Sequence, residues 1–544
     1  MSSKVAHYLQ EHLVGEVISG TNAREHFSTD GSILQAAPLL VVYPKSENDI
    51  RKTARFSWQL AERGRIIPLV ARGGGTDQSG AAIGGGMILA FQAHMNRILE
   101  LDGRTHTVTI EPGLNYARLQ EVLHTHGRFL PPYPSSIDYS TIGGAIANNK
   151  SGERSYRYGP TLNFVKSLRV VLANGEVIQT GRLNKRELSK KLGLATFEGE
   201  VYRSVDTLLE EKISTIELME RNLTLNNAGY NLLDIKRKDG SFDLTPLIVG
   251  SQGTLGIITE ATLDTEAYDP QSTLVMSYFD SIEFLQQALV ELKALNEGPA
   301  TIELVDQYTL DQVYVHNPNH LKDAISRPYP SFTLLMDFEG TEKTSKKPIK
   351  TVTKILDKFA KHTSVITDPE EQIKARKIRD SVNMLVAGDE GTKHSLPLFD
   401  GSVPIDRLRD YIEGIYKIFA ASSVQPAVWG HAGDANLFVR PNLNLSHVGD
   451  RQKAFKLLNE FHTLVLGLNG TISASSGEGR LRAPYLEPMY GSDVYDLLNK
   501  IKMIFDPYGT MNPGVKFGTT IEDLRSGLRQ NFNLNHLYGH LPRA

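Results

Sequence analysis

Two glycine-rich segments contain the residue types that bind phosphate groups. The first runs from Arg72 to Thr76 and holds three consecutive glycines. Because glycine lacks a Cβ, its backbone N–H groups can approach a ligand closely, and successive amides form an anion-binding concavity. In the second segment, Thr141 can cap a helix whose first turn carries Gly143 and Gly144, and a helix N-terminus attracts phosphate. Two such loops, about 70 residues apart, favour a dinucleotide with an extended diphosphate.

Other phosphate-binding motifs fail on spacing. A G-x-G-x-x-G fingerprint starting at Gly73 would need glycine at position 78, which is Gln78, and the chain has no Gly-Lys dipeptide for a P-loop. A triple glycine by itself is more often a flexible turn than a cofactor site. The assignment therefore depends on the second segment.

Longer segments around these loops resemble a known family. ARGGGTDQSG, PSSIDYSTIGGAIANNKSG, YGPTLNFVKSLRVVLANGEV and VGSQGTLGIITEATL resemble the flavin domain of the vanillyl-alcohol oxidase and para-cresol methylhydroxylase (PCMH) superfamily. HAGDAN, NGTIS, GRLRAPYL and FDPYGTMNPG resemble the FAD-linked oxidase C-terminal domain. Together they are similar to D-lactate dehydrogenases, D-2-hydroxyglutarate dehydrogenases and the FAD subunit of glycolate oxidase, in the same order from about residue 38 to 518.

The resemblance implies FAD, with its diphosphate on both glycine loops. Some relatives attach the flavin covalently through a histidine in the first loop; this chain has Gly75 and Thr76 there, so we expect noncovalent FAD. The residues expected to bind the cofactor are Arg72, Gly73, Gly74, Gly75, Thr76, Asp77, Ser79, Pro134, Ser135, Ser136, Thr141, Gly143, Gly144, Asn148, Ser151, Gly152, Ile257, Ile258 and Asn512.

The expected catalytic residues come from motifs that the chain keeps only in part. The family pattern is H-x-G-D-G-N-x-H followed by S-G-E-H-G-x-G, in which two histidines and the glutamate bind a metal and the last histidine is the base. His431 and Asn436 match, but Phe438 stands at the second histidine, and Ser475 and Ser476 replace the glutamate and the base. A site with one histidine would hold zinc or manganese poorly, so we expect no metal. Only a local shift would bring Glu478 into the glutamate position, and the flanking glycines argue against that shift.

A cation for a substrate carboxylate is also expected from the resemblance. Arg379 in Ile-Arg-Asp-Ser matches the family arginine, and a guanidinium pairs with a carboxylate through two parallel hydrogen bonds. A lysine of the family appears here as Leu398, and Arg440 is an additional cation whose direction the sequence leaves open. The expected catalytic set is therefore Arg379, His431, Asn436 and Ser476.

These residues favour an FAD-dependent oxidoreductase that oxidises a 2-hydroxy acid, or a related small alcohol, by hydride transfer to flavin without a metal. Two alternatives stay open: a flavin enzyme with non-redox chemistry, similar to alkylglycerone-phosphate synthase, and a flavin-binding subunit that has lost catalysis. Oxygen, a quinone, a cytochrome or an electron-transfer flavoprotein could each accept the electrons.

Composition excludes several other classes. The chain has 544 residues with 59 Lys and Arg against 62 Asp and Glu, so it offers no broad basic field for nucleic acid. The absence of cysteine excludes disulfides, thiolate-bound zinc and iron–sulfur clusters. The N-terminus lacks the apolar core of a signal peptide, and no stretch reaches the ~18 apolar residues of a membrane helix. We therefore expect a cytoplasmic protein with a small-molecule substrate and no integral membrane segment.

The elements that must position these residues predict an α+β protein. A strand between Pro38 and Pro44 is followed by a helix that begins at Ser46, where Ser46 and Asp49 have the spacing of a capping box. Asp102-Gly103 and Asn174-Gly175 predict two hairpins. The expected organisation is an N-terminal segment (1–37), a PCMH-type FAD-binding domain with two subdomains (38–268), a substrate or cap domain (269–490), a segment that returns to the FAD domain (491–518) and a polar tail (519–544).

Overall fold

The computed structural model describes residues 2–385 and 393–534. The strands are β1 (Glu16–Ile18), β2 (Leu40–Tyr43), β3 (Leu69–Arg72), β4 (Met87–Ala90), β5 (Ile98–Asp102), β6 (Thr107–Ile110), β7 (Arg128–Phe129), β8 (Val165–Val171), β9 (Val177–Gln179), β10 (Ile257–Asp264), β11 (Glu266–Ala267), β12 (Ser272–Phe279), β13 (Thr301–Asp306), β14 (Phe332–Glu339), β15 (His362–Ile366), β16 (His394–Ser395), β17 (Gly401–Ser402), β18 (Pro426–His431) and β19 (Asn436–Leu443).

Helices separate these strands. They are α1 (Ser2–His12), α2 (Thr21–His26), α3 (Glu47–Ala61), α4 (Tyr116–Thr125), α5 (Ile142–Ala147), α6 (Ser155–Tyr158), α7 (Lys185–Leu192), α8 (Phe197–Glu211), α9 (Ile213–Glu217), α10 (Thr245–Ile248), α11 (Ile282–Lys293), α12 (Gln307–His316), α13 (Glu342–Leu356), α14 (Pro369–Asp380), α15 (Leu408–Ala421), α16 (Val448–Gly467), α17 (Leu486–Tyr490), α18 (Ser492–Phe505) and α19 (Ile521–Ser526). Within the described ranges, no helix has both the length and the apolar character needed to cross a membrane.

The N-terminal domain contains two sheets. Strands β2, β4 and β3 run parallel, and β1 adds an antiparallel edge. The second sheet is antiparallel with the order β5-β6-β10-β8-β9, and it contains both predicted hairpins, β5–β6 and β8–β9. The first glycine loop follows β3, and the second leads into α5. The parallel sheet therefore positions the first loop close to the start of the second loop.

The expected capping box of α3 does not form. Ser46 takes the N-cap position, but its side chain makes no capping hydrogen bond. The Asp49 carboxylate instead accepts hydrogen bonds from the backbone N–H groups of Val14, Gly15 and Lys45. Hydrogen bonds from the segment before β1 to the Asp49 carboxylate thus form in place of the local capping box between Ser46 and Asp49.

The C-terminal domain is built on one large antiparallel sheet. Its strand order is β15-β12-β14-β13-β18-β19-β16, and β17 also pairs with β19. Neighbouring strands β13, β18 and β19 bring Glu303, His431 and Phe438 to one end of this sheet. That end faces the glycine loops of the N-terminal domain.

After α18, the chain returns to the N-terminal domain. The Leu69 N–H donates to the Thr510 carbonyl, and the Asn512 N–H donates to the Leu69 carbonyl, so residues 510–512 extend the edge of β3. The first glycine loop therefore begins from a strand that the end of the chain supports.

The residues after 518 are more ordered than a polar tail would be. Leu528 and Phe532 are buried, and Leu528 forms a β-bridge with Leu34. The buried Arg529 guanidinium donates to the carbonyl groups of Asp30 and Ser32, each at 3.2 Å. Residues 519–534 thus belong to the folded body, and residues 535–544 of the predicted tail lie outside the described residues.

A fully buried ion pair joins the return segment to the C-terminal domain. Lys516 Nζ lies 2.8 Å from Glu478 Oε2, and both side chains have 0% exposure. Lys516 also donates to the Gly229 carbonyl at 2.8 Å, while the Gly229 N–H donates to Glu478 Oε1 at 2.9 Å. Glu478 is therefore committed to this pair, so it does not move into the family's glutamate position.

Replacing Lys516 with methionine is expected to destabilise the protein by about 3–5 kcal/mol, because it leaves the Glu478 carboxylate buried without its cation. Chemical denaturation followed by circular dichroism measures the change. Lys361→Met is the matched control, since Lys361 pairs with Asp280 on the exposed surface and its loss should cost less than about 1 kcal/mol. Equal effects of the two substitutions would contradict the structural role of the buried pair.

Candidate active site

The two glycine loops lie in direct contact. A Cβ atom on Gly73 would overlap the Thr141 side chain, and one on Gly74 would overlap the Tyr139 carbonyl oxygen. Thr76 Oγ1 and Ser140 Oγ are 3.2 Å apart. The glycines of the first loop are therefore needed for the close approach of two backbones, which places the N–H groups of both loops around one cavity.

The second loop ends in the predicted helix cap. Thr141 is the N-cap residue of α5, and its side chain accepts a hydrogen bond from the Gly144 N–H at 3.2 Å. Gly144 lies in the cavity wall, and a Cβ placed there would meet only Thr141 Oγ1, at 3.2 Å, within 4 Å. The helix N-terminus thus opens towards the cavity, as an anion-binding terminus must.

Arg72 and Asp77 support the first loop. The buried Arg72 guanidinium donates to the Thr29 and Ala82 carbonyl groups at 2.8 and 3.2 Å. Burial lowers the pKa of Arg72 to about 10. The Asp77 carboxylate accepts from the N–H groups of Ser79 and Ala81 and fixes the turn that follows the glycines.

One cavity of about 660 Å³ contains most of the residues expected from the sequence. Its wall includes Arg72, Gly73, Gly74, Gly75, Thr76, Asp77, Pro134, Ser135, Ser136, Thr141, Gly143, Gly144, Asn148, Ser151, Gly152 and Ile258 from the N-terminal domain, and Arg379, His431 and Ser476 from the C-terminal domain.

Three expected cofactor-binding residues are not in this wall. Ser79 donates its hydroxyl to Asp77, and Ile257 packs in the apolar core beneath the parallel sheet. Ile257 and Ile258 separate because successive residues of a strand point to opposite faces. Asn512 donates to the carbonyl groups of Ala81 and Gln252, so it holds the loops in place from behind.

His431 and Glu303 form a buried pair at the cavity. His431 Nδ1 lies 2.6 Å from Glu303 Oε1, and both side chains are about 5% exposed. An ionised carboxylate can only accept, so Nδ1 carries the hydrogen and Nε2 is the one ring nitrogen that can accept a proton from a ligand. This arrangement fixes the imidazole with one nitrogen available as a proton acceptor.

Arg379 lies in the cavity wall but already contacts acidic residues. Its guanidinium lies 2.7 Å from Glu153, 3.5 Å from Glu303 and 3.3 Å from Asp380. Burial raises the pKa of Glu153, but the Arg379 charge, the hydrogen bond from Tyr133 and the Arg154 charge together hold that pKa below its ordinary value. Arg379 therefore links the acid of the histidine pair to the loop that follows Gly152.

Asn436 and Ser476, which the sequence predicts to be catalytic, both contact Asp400. Asn436 does not reach the cavity, since its side-chain amide donates to Asp400 and to the Gly401 carbonyl. Ser475 and Ser476 each donate a backbone N–H and a hydroxyl to the Asp400 carboxylate. The Ser476 hydroxyl hydrogen is therefore committed, although the residue reaches the cavity wall.

No metal site is visible in the described part of the chain. Across residues 2–385 and 393–534, no group of three or more His, Cys, Asp or Glu side chains is arranged to hold a metal ion. Phe438 stands where the family has its second histidine, and its ring meets the His431 ring edge to face with centroids 5.4 Å apart. An apolar ring thus fills the space beside His431.

The sequence missed several residues of this cavity. Glu303 lies in the fully buried strand β13 and carries no motif that would single it out. Lys150 lines the cavity, and Glu153 contacts the wall residue Arg379; both flank Ser151 and Gly152, so proximity to these expected residues was the available signal. Gln78, Trp429 and Phe532 also line the cavity. The sequence analysis considered Gln78 only as the residue that stands where a G-x-G-x-x-G fingerprint needs glycine.

Two family models match the chain, one for each domain. The model described as "FAD binding domain" matches residues 38–181, and the model described as "FAD linked oxidases, C-terminal domain" matches residues 269–515. Together they cover more than two thirds of the chain. The chain belongs to the FAD-linked oxidases. It is a flavoprotein oxidoreductase that uses FAD.

Similar proteins of this family include dehydrogenases and oxidases. Glycolate oxidase subunit GlcD of Bacillus subtilis is 28% identical over 489 residues, which cover 89% of this chain and 90% of that protein. D-2-hydroxyglutarate dehydrogenase of Haemophilus influenzae is 28% identical over 525 residues, which cover 93% of this chain but 50% of that protein. The chain therefore spans about half the length of the D-2-hydroxyglutarate dehydrogenases that it matches.

A solved structure of p-cresol methylhydroxylase has the same fold. It superposes with a TM-score of 0.68 at 14% sequence identity, over 94% of this chain and 96% of that one. The FAD-linked oxidase thus has the PCMH-type architecture expected from the sequence.

The cavity has features that fit FAD. Glycines at positions 144 and 253 leave space that a Cβ would otherwise occupy, and the N-terminus of α5 opens into it. Ser151 Oγ is buried in the same wall and has no hydrogen-bond partner. A diphosphate and the polar edge of a flavin would satisfy these groups.

Gly144→Val is expected to abolish or greatly reduce FAD binding, because its side chain would project into the cavity at the helix N-terminus. The measurement is the FAD released per protein after denaturation. Gly85→Val is the control: Gly85 is exposed, and a Cβ there would meet nothing within 4 Å. Full FAD content in the Gly144 variant would show that the cofactor lies elsewhere.

Proposed function

We propose that this FAD-linked oxidase oxidises a small 2-hydroxy acid to the corresponding 2-oxo acid. The observation that carries the proposal is the buried Glu303–His431 pair, which faces the cavity formed with the FAD-binding loops. The relatives named above are a glycolate oxidase subunit and a D-2-hydroxyglutarate dehydrogenase, and both names denote 2-hydroxy acids as substrates.

In this proposal His431 is the general base. Glu303 accepts the Nδ1 hydrogen at 2.6 Å and orients the ring, so Nε2 takes the proton of the substrate hydroxyl. FAD, when bound, supplies the acceptor for the hydride that leaves the substrate carbon. Glu303 also stabilises the imidazolium that forms when the proton arrives, because opposite charges at this distance attract strongly in a buried site.

Arg379 serves as a positioning residue in the same arrangement. Its contacts with Glu153 and Glu303 hold the acid of the pair in place from the side opposite His431. Trp429 and Phe438 line the cavity around His431 and limit the access of water. Noncovalent attachment of FAD belongs to the proposal, since the residues of the first loop, Arg72 to Thr76, offer no histidine.

Anaerobic addition of a 2-hydroxy acid is expected to bleach the bound flavin, and dialysis against EDTA should leave the rate unchanged. The visible absorbance of the flavin, followed after addition of glycolate, D-lactate, L-lactate or D-2-hydroxyglutarate, measures the bleaching and its rate before and after dialysis. If no member of a broad panel of hydroxy acids bleaches a fully FAD-loaded protein, the alternative of an eroded flavin-binding subunit gains support. Loss of activity in EDTA with recovery on adding zinc or manganese would contradict the metal-free site.

His431→Asn and Glu303→Gln should slow flavin reduction at saturating substrate while FAD content stays normal. Removal of a positioned general base typically costs roughly 10²–10⁴-fold, and Glu303→Gln should have the smaller effect because it leaves the base in place. Stopped-flow absorbance measures the rates. Glu370→Gln, an exposed acid at the start of α14, is the control. Wild-type rates in His431→Asn would rule out this residue as the base.

A further inference from the structure

The charged groups of the cavity are separated into two regions. Three carboxylates, those of Glu153, Glu303 and Asp380, lie 2.7 to 3.5 Å from the Arg379 guanidinium. Elsewhere in the same wall, Lys150 and Arg440 form no ion pair with any carboxylate in residues 2–385 and 393–534. A substrate anion would be repelled by the first region and attracted by the second.

Arg440 is a buried cation held by neutral groups. It is 6% exposed, and its guanidinium donates to Gln78 Oε1 at 3.0 Å and to the Ser395 carbonyl at 3.4 Å. It also lies 5.5 Å from the centroid of the Trp429 ring. Burial lowers the pKa of Arg440 to about 10, so it remains charged at neutral pH. A buried guanidinium without a counter-ion is costly unless an anion binds beside it.

Lys150 approaches the same part of the cavity from the N-terminal domain. Its Nζ donates to Ser475 Oγ at 3.2 Å and lies 6.0 Å from the centroid of the Phe438 ring. The acids whose charges act on Lys150 are Asp400, which already accepts hydrogen bonds from Ser475 and Ser476, and Asp77, which accepts from Ser79 and Ala81. Neither acid forms an ion pair with Lys150, so its ammonium group remains able to bind an anion in the cavity.

Strand pairing brings Arg440 close to the base, and Lys150 lies over the Phe438 ring of the same strand. Arg440 follows Phe438 by two residues on β19, so the two side chains share a face of the sheet. Phe438 pairs with Trp429 on β18, and its ring contacts the His431 ring. A molecule that holds an anion near Lys150 and Arg440 can thus reach His431 with a neighbouring hydroxyl.

We propose that Lys150 and Arg440 form the subsite that binds the carboxylate of the substrate, with Arg379 left to position Glu303. This inference rests on the proposed oxidation of a 2-hydroxy acid and names the residues that select its acid group. It reassigns the carboxylate from Arg379, which the sequence favoured, because Arg379 is engaged by Glu153 and Glu303. The resemblance predicts a lysine at position 398, where this chain has Leu398. In the proposed subsite, Lys150 and Arg440 supply the positive charge that this lysine would have supplied.

Binding of oxalate, a dicarboxylate that cannot be oxidised at a hydroxyl carbon, tests the subsite apart from catalysis. Calorimetric titration of the FAD-loaded protein should give a measurable Kd, and Arg440→Gln and Lys150→Gln should each raise it roughly tenfold or more, since charge-assisted hydrogen bonds are lost. Arg440→Lys should recover part of the affinity. Lys166→Gln, which removes one exposed charge outside the cavity, should leave the Kd unchanged.

The possible outcomes separate the subsite from the proposed reaction. Failure of oxalate to bind the wild-type protein, or equal binding by both variants, would overturn the subsite. Equal oxalate binding with a lower FAD content would also overturn it and would show that the cations face the cofactor. If a 2-hydroxy acid bleaches the flavin with an unchanged KM in both variants, the oxidation stands and the subsite fails. If oxalate binding depends on both cations but no hydroxy acid bleaches the flavin, the anion site stands and the oxidation fails.

Discussion

Direct contact between two backbone loops is the constraint on which the cofactor site depends. The loop after β3 meets the loop before α5 so closely that Gly73 and Gly74 leave no room for a side chain. This contact brings the amide groups of two distant segments to one cavity and fixes the distance between them. The remaining supports act on this contact from behind, with Arg72 and Asp77 inside the first loop and Asn512 from the return segment.

A second feature that organises the site is that Glu303 contacts both His431 and Arg379. One carboxylate oxygen contacts His431, and the other faces Arg379, which in turn pairs with Glu153 of the N-terminal domain. The orientation of the imidazole is therefore coupled to the packing of the two domains. Where the resemblance in sequence predicts a metal motif, this chain has an apolar ring at Phe438 and a histidine held by an acid. The chain thus combines an ordinary FAD scaffold with a different local arrangement of charges.

Local signals in the sequence predicted the parts of the fold that local chemistry determines. Both hairpins and the Thr141 cap form as expected, because each depends on residues a few positions apart. The Ser46 capping box was wrong because Asp49 has partners in a segment more than 30 residues away.

The candidate site was predicted unevenly for the same reason. Most glycine-loop residues lie in the cavity, but Glu153 and Glu303, which contact Arg379, come from a distant loop and strand, and no spacing in the sequence reveals them. The assignment of Asn436 and Ser476 to catalysis followed the motif, whereas the structure commits both to Asp400.

The position of the last described residues in the cavity wall has a consequence for biosynthesis. Phe532 and Leu534 close part of the cavity wall, and Arg529 binds the carbonyl groups of Asp30 and Ser32. During translation, both glycine loops are synthesised hundreds of residues before Asn512, Phe532 and Leu534, which support the first loop or complete the cavity wall. Residue 534 must therefore have emerged from the ribosome before a newly made molecule can enclose its ligand.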